Sequence, residues 1–390
     1  MNPPTLSVVP APRAHANPRL HWLLAGGGVA GLVAAAATNP SDARAAASQD
    51  WPPFVLVTGL LLIGLVADDD GLFVWAGHQL ARLASSGAVM FLGASLMVGV
   101  VTATLNLDTS VAFLTPVLVY AARSRGEGEA PLLYGCLLFS NAGSLFLPGS
   151  NLTNLIVLGH LHLSGAAFLA RMWGPALVAI VVTAVVVAGF EHRALRLSAK
   201  PVTRPERPSL GLGLTAVVIA TVLVVVLHSP ALPVVIVGGG AVGIRLVAGT
   251  DHPRRVAEVL GVPLLTGLFG VAAALGTLGR AWSGPATLLS HLDLWGTAVV
   301  AATGSVLVNN LPAASLLAAR IPAHPFALLI GLNLGPNLFV TGSLAWLLWL
   351  RAARFAGARP SIVKASRIGA IAVPLSIAAA LGMLSVTGHL

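Results

Sequence analysis

Charged side chains are scarce in this chain. Asp, Glu, Lys and Arg make up 9% of its 390 residues, whereas a soluble domain carries about 25%. Residues 130–170 and 321–350 contain none of the four, and both runs exceed the roughly 20 residues that a membrane-spanning helix needs. A soluble protein has no way to make a solvent-facing surface from such stretches. The scarcity excludes a soluble globular fold and predicts a polytopic membrane protein.

Cysteine and catalytic motifs are almost absent as well. The single cysteine, Cys136, lies in an apolar run, which excludes a disulfide framework and a cysteine metal site. No flavin, haem or iron–sulfur motif, P-loop or nucleophile–base set can be read, so we expect no cofactor, no resident metal and no enzyme. The net charge of +9 sits in short loops between apolar runs. That pattern indicates membrane orientation rather than a nucleic-acid partner.

Eleven apolar segments follow one another along the chain. They lie near residues 20–38, 52–67, 85–122, 130–158, 163–190, 209–228, 230–248, 257–279, 294–319, 326–350 and 368–388. The first is predicted to be a span rather than a cleaved signal peptide, because a long Pro-rich leader precedes it. Residues 71–84 are too short and too amphipathic to span, and they indicate an interfacial helix.

The basic residues predict the orientation. Loops 192–207 and 351–367 carry five Lys or Arg each, so both should be cytoplasmic. If 85–122 is a hairpin open to the cytoplasm and 294–319 a hairpin open to the outside, every loop falls consistently. Four basic residues of 22 then lie outside: Arg44, Arg171, Arg280 and Arg320. We expect an inner (plasma) membrane protein with its N-terminus cytoplasmic and its C-terminus outside.

Two oppositely directed hairpins are typical of inverted-repeat transporters. The motif NAGSLFLPGS at 141–150 matches NLGPNLFVTGS at 333–343, and each follows a hairpin. The predicted fold is an all-α polytopic membrane protein with inverted repeats, each containing a helical hairpin and a broken transmembrane helix. The predicted divisions are a tail and first apolar segment (1–50), a first repeat (51–192), a basic cytoplasmic linker (193–208), a second repeat (209–367) and a C-terminal helix (368–390).

Polar residues cluster where Pro and Gly interrupt the two predicted broken spans. Freed backbone groups are tolerated in a bilayer only where they are buried in protein or line a watery cavity. We interpret both interruptions as a central binding site, with interhelical packing by polar residues as the alternative. The hairpin tip Asn309-Asn310 joins the site, although Asn also favours turns. The predicted substrate-binding residues are Asn141, Ser144, Ser150, Asn151, Thr153, Asn309, Asn310, Asn333, Asn337, Thr341 and Ser343.

Asp108 is the one ionisable residue in the apolar stretch 85–122. A carboxylate is costly within the membrane, at about 2.5–3.5 kcal/mol on insertion scales. We therefore predict that it exchanges the coupling proton, with Asn310 as its counterpart in the second repeat. Two alternatives stay open: Asp108 caps the following helix, or it is a Na⁺ ligand. The acidic run Asp68-Asp69-Asp70 is predicted to be a solvated turn and helix cap.

These motifs resemble the arsenical pump membrane proteins of the ion transporter superfamily over residues 50–350. The second broken span carries Leu334-Gly335-Pro336 and then Thr341-Gly342-Ser343-Leu344-Ala345-Trp346-Leu347-Leu348-Trp349, similar to the family's stretch. The remaining matching motifs are Ser150-Asn151-Leu152 with Asn154, Asn310-Leu311-Pro312, Asp108 within 107–116, Trp51-Pro52-Pro53 and Asp70-Gly71-Leu72-Phe73. The resemblance implies efflux of arsenite and antimonite in exchange for protons.

The chemistry of the residues agrees with a neutral solute. Arsenous acid is largely undissociated at neutral pH, and amides and hydroxyls can hydrogen-bond its three hydroxyl groups. Expected partners are this inorganic solute, protons and the lipid bilayer, with a soluble ATPase subunit and a second copy of the chain (a homodimer) as further candidates. The alternatives are a Na⁺-coupled dicarboxylate, citrate or Na⁺/H⁺ carrier of the same superfamily, or a binding-only subunit of an ATPase.

Overall fold

The structure is a computed structural model that describes residues 18–159, 161, 163–195 and 211–387. Most of the predicted tail (1–17) and residues 196–208 of the predicted basic linker lie outside the described residues. Every regular element of the described part is helical, which confirms the all-α fold. Five of its helical stretches are long and apolar enough to cross a membrane.

The described residues form twenty α-helices. The first ten are α1 (Pro18–Thr38), α2 (Pro40–Asp69), α3 (Leu72–Leu83), α4 (Gly87–Thr104), α5 (Leu107–Thr109), α6 (Thr115–Ser124), α7 (Ala130–Gly143), α8 (Leu152–Leu158), α9 (Gly165–Phe190) and α10 (His192–Leu195). The second ten are α11 (Leu212–Val226), α12 (Ala231–Val247), α13 (Pro253–Leu260), α14 (Val262–Ala281), α15 (Gly284–Ser290), α16 (Leu294–Val308), α17 (Asn310–Leu317), α18 (Pro325–Leu334), α19 (Leu344–Phe355) and α20 (Ile362–Val386).

Two hairpins are present at the predicted positions. In the first, α4 leads to a tip at Leu105–Asn106, and the chain returns through α5, a π-helical turn (Ser110–Leu114) and α6. Pro116 has no N–H to donate to the preceding turn, and the backbone widens there. In the second hairpin, α16 and α17 meet at Asn309. Its φ of 82° is the one positive value among the described non-glycine residues.

Both predicted broken helices are also present. The first breaks between α7 and α8, where a short 3₁₀ turn spans Pro148–Ser150. The second breaks between α18 and α19, after a 3₁₀ turn at Gly335–Leu338. Pro148 and Pro336 lie in these turns, where a missing N–H and a fixed φ oppose a continuous helix. Polar backbone is thereby freed deep in an apolar chain.

The packing between the two predicted repeats is reciprocal. Helix α12 of the second repeat packs on α2 of the first, and α14 packs on both α2 and the preceding helix α1, while α9 contacts the C-terminal helix α20. Each hairpin also contacts the opposite repeat, since the first hairpin packs on α19 and the arm α17 of the second hairpin packs on α8. An internal repeat predicts this exchange. That the repeats are inverted in the membrane stays a prediction.

Residues that share a predicted membrane face lie together. Lys364 Nζ pairs with Glu191 Oε1 at 2.6 Å, and Arg125 Nη1 donates to the carbonyl of Ala84 at 2.8 Å, which joins the two ends of the first hairpin. At the other end of the molecule, Arg320 Nη2 donates to the carbonyl of Arg280 at 2.6 Å. The grouping follows the predicted threading, while the assignment of one face to the cytoplasm rests on the basic residues alone.

The acidic run after α2 differs from its prediction. Instead of a solvated turn, it forms an ion-pair cluster, in which Asp70 pairs with Arg245 and Asp69 pairs with Arg255. The Asp70 side chain is 8% exposed, and its Oδ2 accepts from the backbone N–H of Gly213 at 2.6 Å. It therefore caps the start of α11 rather than α3, whose N-cap is Gly71. The sequence could not place partners that lie about 140 to 190 residues away.

Candidate solute site

The two broken helices meet in a fully buried cluster of amides and hydroxyls, which we call the asparagine network. Its members are Asn141, Ser144, Asn151, Asn154, Asn333 and Asn337, each 5% exposed or less. The chain interruptions bring them together, because each break turns a polar side chain toward the opposite repeat. Five of these six are predicted site residues, and Asn154 is an addition.

Asn333 lies at the centre of the asparagine network. Its Oδ1 accepts from Ser144 Oγ at 2.5 Å and from Asn151 Nδ2 at 2.7 Å. Its Nδ2 donates to Asn154 Oδ1 and to the carbonyl of Leu329, both at 2.8 Å. One side chain from the second repeat thus satisfies three side chains of the first.

Asn141 is the counterpart of Asn333 in the first repeat. Its Nδ2 donates to Asn337 Oδ1 at 2.8 Å and, weakly, to the carbonyl of Leu137 one turn earlier at 3.3 Å. Asn333 likewise donates to the carbonyl one turn before it. The shared geometry supports the alignment of the two Asn-x-Gly motifs. Buried amides paired in this way are far stronger determinants of register than apolar contacts, because an unpaired one is costly.

The second hairpin tip is held by the second broken helix. Asn309 Nδ2 donates to the carbonyl of Thr341 at 3.1 Å, and the N–H of Asn310 donates to the carbonyl of Gly342 at 2.9 Å. The Thr341 hydroxyl donates to the carbonyl of Val306. Asn309 also accepts from Leu311 N–H at 3.3 Å and so caps α17. These bonds support its unusual backbone conformation, which costs of order 1–3 kcal/mol.

The first hairpin tip is capped by a residue that the sequence prediction missed. Asn106 Oδ1 accepts from the N–H of Thr109 at 2.6 Å, so the alternative in which Asp108 caps this helix is wrong. Asn106 takes the place that Asn309 has in the second tip. The predicted pairing of Asp108 with Asn310 is therefore out of register. The signal that could have found Asn106 is an Asn three residues before Thr109 at a hairpin turn.

Several buried atoms of the site have no hydrogen-bond partner within the described part of the chain. They include Asn141 Oδ1, Thr153 Oγ1 and Ser343 Oγ, whose residues are 0%, 0% and 2% exposed. Ser150, by contrast, donates to the carbonyl of Ala103 on the first hairpin at 3.3 Å. Buried polar atoms left unpaired are costly.

A cavity of about 1180 Å³ lies beside the first hairpin and the two broken helices, and its wall includes no residue of the asparagine network. Its wall includes Asp108 and Thr109 of the first hairpin, and Leu152 and Leu344, which follow Asn151 and Ser343 in the two broken helices. It extends along α19 as far as Arg351 and Phe355 and is flanked by α13. No ion pair joins the Asp108 carboxylate to another described residue. The carboxylate is therefore free to meet water or solute in the cavity.

Helical hairpins, broken helices and a buried polar site beside a cavity define the class: this protein is a membrane transporter and not an enzyme. The particular family follows from sequence comparison. The chain belongs to the citrate transporter family (CitMHS), whose family model matches residues 19–350.

Individual relatives agree with this assignment. The chain is 25% identical over 365 residues to the arsenical pump membrane protein of Escherichia coli strain K12, with 84% of each chain covered. It is 27% identical over 316 residues to the inner membrane protein YbiR of the same strain, covering 79% and 81%. The crystal structure of the Alcanivorax borkumensis YdaH transporter matches with a TM-score of 0.55 at 16% identity, covering 88% of this chain and 86% of that one. At that identity, the match shows the fold alone.

Proposed function

We propose that this transporter exports arsenite and antimonite across the inner membrane in exchange for protons. The observation that carries the proposal is the asparagine network, which offers amides and hydroxyls but no charge. No Lys or Arg occurs in the four segments that contribute site residues, 104–113, 141–154, 306–315 and 333–343. Relatives named arsenical pump membrane protein support the same solute.

The proposed solute is arsenous acid in its neutral form. Asn141 Oδ1 can accept a hydrogen bond from one of its hydroxyls, and Thr153 and Ser343 can donate or accept. Because the site has no thiolate, release requires no As–S bond to break. A di- or tricarboxylate would bring negative charge into a buried site without a cation, which is costly.

Asp108 supplies the proton step of the proposal. Its carboxylate borders the cavity and lies just past the tip of the first hairpin, so a moving hairpin would carry it between the two faces. Protonation removes the charge and lowers the cost of that movement. An inward-moving proton would thereby be exchanged for an outward-moving solute.

Arsenite uptake into everted membrane vesicles tests the proposal. We expect uptake that depends on an imposed proton gradient, and its loss in Asp108→Asn. Asp293→Asn is the matched control, because Asp293 is an exposed cap of α16 and Asn caps equally well. Gradient-independent uptake, or full coupling in Asp108→Asn, would contradict the proton role.

The second candidate function is Na⁺-coupled transport of citrate or a dicarboxylate, and the family description names citrate as a transported solute. The same vesicles distinguish it, since sodium-dependent citrate transport without arsenite transport would replace the proposed solute. A requirement for ATP and a copurifying soluble ATPase would indicate the binding-only alternative.

A further inference from the structure

A second polar cluster, buried in part, lies away from the solute site, and the proposed function does not use it. It consists of Gln49 and Asp50 on α2 and Arg280 on α14. Asp50 is 2% exposed, and its Oδ2 has no hydrogen-bond partner among the described residues. Arg280 Nη2 donates to Gln49 Oε1. A half-buried guanidinium beside a buried carboxylate is costly in an apolar chain and usually functional.

Gln49 connects this cluster to the elements that form the solute site. Its Nε2 donates to the carbonyl of Ile156 at 2.9 Å and, more weakly, to that of Ala318 at 3.4 Å. Ile156 lies in the last turn of α8 and Ala318 directly follows α17. Carbonyls at helix C-termini lack intrahelical partners. One amide on α2 therefore caps a broken helix of the first repeat and a hairpin arm of the second.

The glycine beneath the cluster makes its close packing feasible. A Cβ at Gly276 would lie 3.2 Å from Arg280 Nη1 and 3.8 Å from Asp50 Oδ2. Both charged groups thus rest on the bare backbone of α14. Arg320, just after α17, donates to the carbonyl of Arg280 at 2.6 Å, so the same hairpin arm is attached to α14 as well as to α2.

The cluster and the cavity lie at opposite ends of the same helices. On α14, Leu268 lines the cavity, and Arg280 is about 18 Å further along at 1.5 Å per residue. On α2, Val57 lines the cavity, and Asp50 is about 10 Å before it. Arg280 and Arg320 are predicted to lie outside, whereas the cavity ends at arginines predicted to be cytoplasmic.

We propose that Gln49, Asp50 and Arg280 form the outer gate of this transporter. In the present conformation the gate holds α8 and α17 against α2 and α14 and closes the path opposite the cavity. Opening to the outside requires the bonds of Gln49 to α8 and α17 to break. The gate therefore sets the balance between inward-open and outward-open states. The proposed gate depends on this protein being a transporter and not on which solute it carries.

Cysteine labelling tests the gate without any transport assay. Thr277→Cys places a thiol one turn before Arg280, at a position 3% exposed in this conformation. Leu265→Cys places one in the cavity wall. The native Cys136 is buried. Each variant is reacted with a membrane-impermeant methanethiosulfonate reagent in right-side-out and everted vesicles.

Removal of the gate should shift labelling in opposite directions at the two positions. With Arg280→Gln, we expect about tenfold faster labelling at position 277 from the outer face, the effect of losing one charged hydrogen bond. Labelling at position 265 from the other face should slow. Arg44→Gln is the matched control, since it removes an exposed charge predicted to lie on the same face. Gln49→Leu should give the same labelling changes as Arg280→Gln, and it replaces that variant in the test if Arg280→Gln folds poorly.

Two results would overturn the gate. One is unchanged labelling at position 277 in both gate variants. The other is faster labelling at positions 277 and 265 together, which would mean that the substitutions merely loosen helix packing. Reciprocal change at the two positions is the outcome that a shift between two conformations requires.

Discussion

Replacement of Asn333 by Ala is the sharpest test of the asparagine network. The substitution removes four hydrogen bonds made by a fully buried side chain. Ser144 Oγ keeps a bond to the carbonyl of Asn141 at 2.7 Å. Asn151 Nδ2 and Asn154 Oδ1 lose their side-chain partner, although Asn154 Nδ2 still donates to the carbonyl of Ser144 at 2.6 Å.

The expected loss of stability follows from these groups. Two buried atoms without partners cost about 1–3 kcal/mol each, or about 2–6 kcal/mol together. Hydrogen bonds between transmembrane helices average only about 0.6 kcal/mol in double-mutant cycles, and four of them would still total about 2.4 kcal/mol. Both routes give at least about 2 kcal/mol, so we expect a clear effect on the free energy of unfolding.

The assay is unfolding of the purified protein by titration with sodium dodecyl sulfate, compared with Asn39→Ala. Asn39 precedes α2 in a partly exposed position, where its Nδ2 donates to Asp42 Oδ2 at 2.8 Å and its Oδ1 accepts weakly from Ser41 Oγ at 3.3 Å. That control should lose no more than about 1 kcal/mol. If Asn333→Ala and Asn39→Ala were equally stable, the network would not join the two repeats as described.

Two further predictions concern packing and a buried charge. Gly28→Val should lower the free energy of unfolding by about 1–3 kcal/mol or more, because a Cβ at Gly28 would lie 2.1 Å from the carbonyl oxygen of Gly267. Gly27→Val is the control, since nothing lies within 4 Å of its Cβ position. Equal thermal stability of the two variants would contradict the close α1–α14 contact. Arg125→Ala should destabilise the first hairpin by about 3–5 kcal/mol, because the arginine side chain is 4% exposed and pairs with a glutamate that is 5% exposed. Arg82→Ala removes an exposed charge and should change the midpoint of detergent unfolding little, so similar midpoints for both arginine variants would refute this reasoning.

The helices and their interruptions could be predicted from the sequence because their causes are local. An apolar run in lipid must satisfy its backbone internally, which predicts α7, α9 and α20 as helices. Proline and glycine then mark where α7 and α18 end. The clustering of Asn and Ser at those points is likewise visible in the chain itself.

The partners of those polar residues were decided only by the tertiary structure. Asn333 binds side chains about 180 residues away, and composition says nothing about which amides will face each other. The cap at Asn106 was missed because Asp108, two residues on, carries the more conspicuous charge. The Asp70–Arg245 pair joins ends of helices that are remote in the chain.

The sequence by itself therefore determined what this protein is made of: membrane helices, two hairpins and two polar breaks, because lipid imposes those rules residue by residue. The tertiary structure decided which breaks meet, where Asp108 faces a cavity, and that Gln49 reaches two helix ends at once. Those arrangements depend on distances between segments, and helical periodicity carries no information about distances.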